Sequence, residues 1–482
     1  MSLSAVETTL DVKLMIDGKQ RDGSDGRTLS VLNPATEETI GIVAHAAASD
    51  IDEAAWAADK AFRSWRTTTA YERCKLLRAA AALLRERMGR IAPLLTLEQG
   101  KPLSEAEAEI RGSADFIDWL AEEGRRTYGV VVPGQLPNVR QITFREPIGP
   151  VATFTPWNFP INAVVRKVAA ALAAGCTVVA KGNEETPASG AEVIQAFVDA
   201  GVPGGVVNLV YGDPAEISSS LIRHPAIRKL SFTGSTAVGK HLASLCGAHM
   251  KRTSMELGGH APVIVTNDAD IPNAIRLLSF QKYRAAGQIC ISPTRFLIQE
   301  EVYGAFLDGF VESARAIKVG NGFDPQTKMG PLANGRRVHA LEEMVSDAVQ
   351  RGAELEAGGH RIGKKGFFFE PTVIANVPAT ARVMNEEPFG PLAVVNSFAT
   401  LDEAIEEANR LPYGLAAYAH TGSLKTAQEL MARVEAGMLT LNQNGLSFPE
   451  VTFGGVKDSG YGSEGGPEAI EPYLVNRFVS LG

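Results

Sequence analysis

Three short stretches carry residue types that can do covalent or electrostatic chemistry. In Gly287-Gln288-Ile289-Cys290-Ile291-Ser292 a cysteine sits in a glycine-containing turn just after the basic stretch Lys282-Tyr283-Arg284. Thiolate is the reactive form and nearby cations favour it, which makes Cys290 a candidate nucleophile; a buried inert thiol is the commoner fate, and these residues alone leave the choice open. In Met255-Glu256-Leu257-Gly258-Gly259 a carboxylate stands beside two glycines. Backbone can approach a substrate closely there, and Glu256 could act as general base for a water attacking an acyl-enzyme. Taken alone, that fragment fits an exposed loop acid better. Phe232-Thr233-Gly234-Ser235-Thr236-Ala237-Val238-Gly239 is a glycine-rich strand-to-helix turn, where Gly234 and Ser235 would present backbone N–H groups to phosphate. It is neither GxGxxG nor a P-loop, so by itself it is a weak signal.

These stretches need a scaffold, and the hydrophobic pattern supplies one. The first ~125 residues read as a short β entry followed by helices over Ala54 to Trp65 and Arg73 to Met88. Gly129-Val130-Val131-Val132 and Arg140-Gln141-Ile142-Thr143-Phe144, separated by Pro133, Gly134 and Pro137, read as a hairpin. From Val151 the rhythm becomes strand, helix, strand. Strands are expected at Val151 to Thr155, Thr177 to Ala180, Val206 to Val210 and Lys229 to Thr233. A helix stripe runs through Ile161, Val164, Val165, Val168, Ala169 and Leu172, ending at Gly175. Thr186-Pro187 is an expected N-cap with proline at the first helical position, opening a helix that runs to Gly201. This alternation predicts a parallel, doubly wound sheet. It restarts with Ala261 to Val265, so a second α/β lobe follows, and the tail Tyr473 to Leu481 is again β-rich.

Five motifs occur in a fixed order. They are Thr155-Pro156-Trp157-Asn158-Phe159-Pro160, Glu256-Leu257-Gly258-Gly259, Gly287-Gln288-Ile289-Cys290, Glu387-Pro388-Phe389-Gly390-Pro391 and Phe453-Gly454-Gly455-Val456-Lys457-Asp458-Ser459-Gly460. In this set the chain resembles the NAD(P)-dependent aldehyde dehydrogenase superfamily, from Asn33-Pro34-Ala35-Thr36 to the final strand, and most of all its succinate-semialdehyde branch. The resemblance implies an α/β fold: a Rossmann-like cofactor domain (residues 1–125 and 148–256), an α/β catalytic domain (257–450) and a small β oligomerisation arm (126–147 and 468–482). It implies that Cys290 attacks the aldehyde to form a thiohemiacetal. Asn158 and the Cys290 backbone N–H would face the oxyanion, hydride would leave for the nicotinamide, and Glu256 would activate water against the thioester.

The same resemblance places Lys181 and Glu184 on the adenosine ribose, Ser235 with Gly234 on the pyrophosphate, and Glu387 on the nicotinamide ribose. Thr155, Pro156, Trp157 and Phe389 would shape the nicotinamide side. A carboxylate at Glu184 would repel a 2′-phosphate, so NAD is expected over NADP. Arg166, Arg284 and Ser447 match the residues that clasp a substrate carboxylate, which points to succinate semialdehyde or a related carboxylated semialdehyde. Three positions depart from the family's pattern: Gly182 for a common Pro, Ala285 for a common Asn, and Ser463 where Arg is frequent. Ser292 stands where some succinate-semialdehyde members carry a second cysteine, so that redox bridge is not available here.

Composition bounds the alternatives. The chain has 482 residues, is 45% hydrophobic and 21% charged, and carries a net charge of −8, which argues against nucleic-acid binding. Cys74, Cys176, Cys246 and Cys290 are scattered, without CxxC or zinc-finger spacing, so no metal site is expected and the first three are taken as structural thiols. No apolar run is long enough for a membrane span and no secretory signal pattern is seen, so a cytoplasmic enzyme is expected. The β-rich hairpin and tail predict a homodimer or homotetramer. The competing readings are an enzyme for uncharged aldehydes, a CoA-acylating dehydrogenase, and a catalytically silent relative; Glu256 weighs against the second, and Cys290, Glu256 and Asn158 together weigh against the third.

Overall fold

The computed structural model describes residues 9–482. Two large sheets dominate, each with its own apolar core. In the eight-stranded sheet five strands are parallel, in spatial order Arg252–Glu256, Lys229–Thr233, Val151–Phe154, Val178–Lys181, Val207–Val210. Short antiparallel strands extend both edges: Gly460–Tyr461 beside Arg252–Glu256, and Leu14–Ile16 with Lys19–Arg21 beyond Val207–Val210. In register, Phe154 pairs with Phe232 and Thr233 with Glu256, so neighbouring strands bring their carboxyl ends to one edge. In doubly wound sheets that edge is where ligands bind.

The seven-stranded sheet is parallel except at the strand Glu354–Ala357, and holds Ala261–Val265 and Pro293–Gln299 side by side. A third sheet of three antiparallel strands joins Val130–Pro133, Arg140–Pro147 and Leu474–Leu481. The hairpin and the tail therefore pair with each other. Their outward residues Val130, Val131, Phe144, Phe478 and Leu481 are exposed.

Local chemistry explains several boundaries. The helix Ala48–Trp65 starts a turn and a half earlier than its apolar pattern suggests, because Asp50 receives the Ala47 N–H at 2.8 Å and so stabilises a polar first turn. The helix Pro160–Ala174 begins with proline in its first turn and ends at Gly175, whose φ of +95° suits a left-handed cap. The apolar stripe expected on this helix covers one face, but in the structure nearly the whole helix is buried, Arg166 included. Thr186 takes the cap position of the helix Pro187–Asp199, but its side chain does not cap; its hydroxyl turns to Asn183 Oδ1 at 2.7 Å. Glu98 replaces it from a distant helix, accepting the N–H groups of Ala188 at 2.9 Å and Ser189 at 2.8 Å. Gly182, the departure from a common proline, is required by its neighbour: a Cβ there would lie 2.2 Å from the Tyr211 ring. No helix among the described residues is long and apolar enough to cross a membrane.

Candidate active site

At the carboxyl edge of the eight-stranded sheet a cavity of about 380 Å³ is lined by Trp157, Asn158, Gly234, Ser235, Gly258, Cys290, Glu387 and Phe389, among others. A second, smaller cavity of about 80 Å³ shares Asn158 and Cys290 and adds Arg166, Glu256, Arg284 and Ser447. Cys290 thus stands between two chambers. Lys181 and Glu184 lie outside both, at the end of the strand Val178–Lys181, joined by an ion pair of 2.7 Å. Thr155, which follows the strand Val151–Phe154, is buried with its hydroxyl unpartnered.

The larger chamber suits a dinucleotide. Ser235 occupies the N-cap of the helix Thr236–Ala248 yet makes no side-chain cap bond, so that helix start keeps its hydroxyl and its positive end available for an anion. Glu387 accepts the Gly259 N–H at 3.1 Å, and a Cβ on Gly258 would come within 2.5 Å of the same carboxylate. Burial pushes the Glu387 carboxyl up to about 7, with Arg337 and Lys282 pulling the other way. Trp157 and Phe389 meet edge to face with centroids 5.6 Å apart, forming a wall.

The nucleophile's surroundings correct one expectation. The basic stretch before Cys290 does not activate it: Lys282 is spent on Ser292, whose Oγ accepts at 3.2 Å. Burial pushes the Cys290 thiol up to about 12, and the nearby Glu387 and Glu256 add to the rise, while Arg166 and the Ile291 N–H oppose it. The remaining cysteines behave as structural thiols, all three buried, with burial raising Cys176 and Cys246 to about 11. Asn158 donates from Nδ2 to Gln288 O at 2.9 Å, which pins its amide against the Cys290 loop. In that loop Ala285, Ala286 and Gly287 all have positive φ, at 46°, 54° and 69°.

Glu256 ends its strand with both carboxylate oxygens buried and unpartnered. Burial holds its carboxyl well above the ordinary range, and the neighbouring Glu464 pushes the same way against Lys167 and Arg166. Glu464 is itself bonded to Lys167, fully buried on the helix Pro160–Ala174. Sequence analysis gave no role to Lys167 or Glu464; the ending Tyr461-Gly462-Ser463-Glu464-Gly465-Gly466 resembles that of some semialdehyde dehydrogenases but does not point to this pair.

At the far end of the smaller chamber Arg166 is fully engaged. It donates to Asn162 Oδ1 at 2.7 Å, Glu464 O at 2.9 Å and Ser447 Oγ at 2.6 Å, and lies between the rings of Phe116 and Phe453. Arg284 is different. Its Nε is buried and unpartnered, and its side chain makes no hydrogen bond or ion pair among the described residues.

The Cys290 thiol, the Asn158 amide, the buried Glu256 carboxylate and the uncapped helix start at Ser235 thus meet around two adjoining chambers. The aldehyde dehydrogenase family model matches residues 21–479. The chain belongs to the aldehyde dehydrogenase family. It is 48% identical over 467 residues to 4-(hydroxymethyl)benzenesulfonate dehydrogenase of Comamonas testosteroni, covering 97% of each chain. It is 40% identical over 468 residues to an NADP(+)-named succinate-semialdehyde dehydrogenase of Escherichia coli, again covering 97% of each. The solved structure of succinate-semialdehyde dehydrogenase from Burkholderia pseudomallei superposes with a TM-score of 0.96 at 40% identity, covering 98% of both chains. This aldehyde dehydrogenase is therefore an oxidoreductase acting on aldehydes with a nicotinamide dinucleotide. At two positions that depart from the family pattern, the Ala285 N–H donates to Glu105 at 2.9 Å and Ser463 Oγ donates to Gly465 O at 2.9 Å.

Proposed function

We propose that this aldehyde dehydrogenase oxidises an aldehyde whose far end carries an anion, to the corresponding acid, with NAD preferred over NADP. One observation carries the reading: an unpartnered Arg284 guanidinium faces the same small chamber as Cys290, close to Arg166 and Ser447. A buried guanidinium N–H without an acceptor is costly, and an anionic substrate tail would supply the missing bond to Nε of this half-buried arginine. A carboxylate makes the tail of succinate semialdehyde or a homologue. The relatives named for a benzenesulfonate and for succinate semialdehyde both handle compounds with an anionic terminus.

In this reading Cys290 Sγ attacks the carbonyl carbon. The amide of Asn158, held by Gln288 O, and the Cys290 backbone N–H stabilise the oxyanion. A bound dinucleotide supplies the hydride acceptor, and Gly234, Ser235, Glu387, Trp157 and Phe389 would hold it, with Lys181 and Glu184 on its adenosine ribose. Glu256 then takes a proton from the water that attacks the thioester, its carboxylate oxygens being free of any hydrogen-bond partner among the described residues. The NAD preference rests on Glu184: its Oε1 accepts the Gly212 N–H at 3.3 Å, and a carboxylate held there would repel a 2′-phosphate.

The test compares succinate semialdehyde and a sulfonated aldehyde with butanal and benzaldehyde, each with NAD and NADP, in the enzyme and in Arg284→Met. Anionic aldehydes should have kcat/KM at least about 10-fold higher, and Arg284→Met should erase that advantage. Uncharged aldehydes as the better substrates, or an Arg284→Met variant with its preference intact, would refute the anionic tail. Equal efficiency with NADP would refute the cofactor preference.

A further inference from the structure

Behind the oxyanion hole lies a group of charged residues with no place in the chemistry above. Lys101 enters the helix Leu103–Glu123, and Glu105 and Glu109 follow one turn apart upon it. Lys101 and Glu109 are buried and ion-paired. Lys101 Nζ also donates to the backbone carbonyl of Asn158 at 2.9 Å and sits 3.9 Å from the centre of the Phe159 ring. Glu109 Oε1 accepts the N–H groups of Ile161 at 3.0 Å and Asn162 at 3.1 Å. Glu105 Oε2 accepts the Ala285 N–H at 2.9 Å, at the first of the three left-handed residues that lead to Cys290.

One helix thus grips both halves of the oxyanion hole through main chain. The Lys101–Glu109 pair ties down residues 158–162, which carry the amide donor. Glu105 ties down the loop that carries the nucleophile and its N–H. Stability alone does not explain charges here, because a buried ion pair is commonly no better than a well-packed apolar replacement. Capping the helix Pro160–Ala174 accounts for Glu109 and not for a lysine aimed at the Asn158 carbonyl. Geometry accounts for all three, since an error of about 1 Å in a reacting or stabilising group can cost about 100-fold in rate.

We propose that Lys101, Glu105 and Glu109 are positioning residues that set the spacing between Asn158 and Cys290, acting on the acylation step and touching neither substrate nor cofactor. The inference rests on Asn158 being the oxyanion donor.

The experiment is a double-mutant cycle on the burst of NADH formation with succinate semialdehyde and with butanal. The burst rate is normalised to active sites titrated by stoichiometric alkylation of Cys290. Lys101→Met combined with Glu109→Gln removes both charges of the buried pair together and keeps an acceptor for Ile161, so it guards against the misfolding that Lys101→Met alone invites. The expected result is a per-site burst rate lower by about 10- to 100-fold, with KM for NAD and aldehyde within about threefold of the starting enzyme. Asn158→Ala should lower the burst by itself, and adding the paired change to it should cost no more than about twofold further, because both act through one group. Full additivity of the two, or an unchanged per-site burst rate accompanied only by a lower melting temperature, would overturn the clamp. An unchanged burst in Asn158→Ala alone would overturn the role of Asn158 and the clamp with it. Glu105→Leu provides the independent arm: it should slow both alkylation of Cys290 and the burst, and normal rates in both would remove Glu105 from the proposal.

Discussion

In the proposed mechanism Cys290 and Glu256 share a difficulty: each acts without its proton, and burial raises the pKa of both. The Cys290 thiol is pushed up to about 12, chiefly by burial and then by the carboxylates of Glu387 and Glu256. Raised values on groups that work deprotonated mean reactivity that grows with pH. Alkylation of Cys290 by iodoacetamide should therefore rise by close to tenfold per unit between about pH 7 and about pH 10, with no plateau. A flat profile over that interval would show that the thiolate is already formed near neutrality. Cys290→Ala should abolish turnover, with melting temperature and dinucleotide binding nearly unchanged, because no other group can form the covalent intermediate. Glu256→Gln should give one burst of NADH and then stall, since hydrolysis of the thioester loses its base. Loss of the burst as well would place Glu256 in an earlier step. Neither fragment alone singled these two residues out; the ordered set of motifs along the whole chain did. Lys167 and Glu464 were not legible, for they lie 297 positions apart and meet only through folding.

The elements repeat this contrast. Ala261–Val265 falls where its run of apolar, β-branched residues placed it, since buried parallel strands read as nearly continuous apolar runs. The edge strands Lys19–Arg21 and Gly460–Tyr461 carry no such run: the first is held in a hairpin with Leu14–Ile16 and the second by backbone pairing to Arg252–Glu256, distant in sequence. The cap from Glu98 onto Ala188 and Ser189 is hidden for the same reason, whereas Thr186 advertised a cap it does not make. The loop before Cys290 offers a direct test. Gly287 has a φ of +69°, and a Cβ there would lie 2.2 Å from the Gly390 carbonyl oxygen. Gly287→Ala should cost roughly 2–4 kcal/mol by urea denaturation and remove most activity, because backbone strain and steric overlap act together on the segment that presents the nucleophile. A variant with stability and turnover intact would show that this loop can relax freely.

For the whole molecule, the three-stranded sheet is the feature that a lone chain leaves unfinished. It shows Val130, Val131, Phe144, Phe478 and Leu481 to solvent, and an apolar strand pair of this kind invites a partner. Light scattering at micromolar protein should give at least twice the 51.3 kDa of one chain, and Val131→Glu with Phe478→Glu should shift it towards one. A 51.3 kDa species from the unaltered protein would mean the sheet stays uncovered. The distance in sequence between Lys167 and Glu464 also has a consequence for how the enzyme is made. At about 5–20 residues per second on the ribosome, the 297 positions between them represent roughly 15–60 s of synthesis. Throughout that interval Lys167 has no carboxylate to meet, Arg166 lacks the Ser447 hydroxyl and the Glu464 carbonyl, and the strand Arg252–Glu256 lacks its outer neighbour. The nascent chain must therefore keep the back wall of its active site hydrated and open while most of its core is already available to collapse. A chain arrested before residue 464 would be inert as an enzyme and rich in surface for chaperones, so aldehyde oxidation should appear late and all at once.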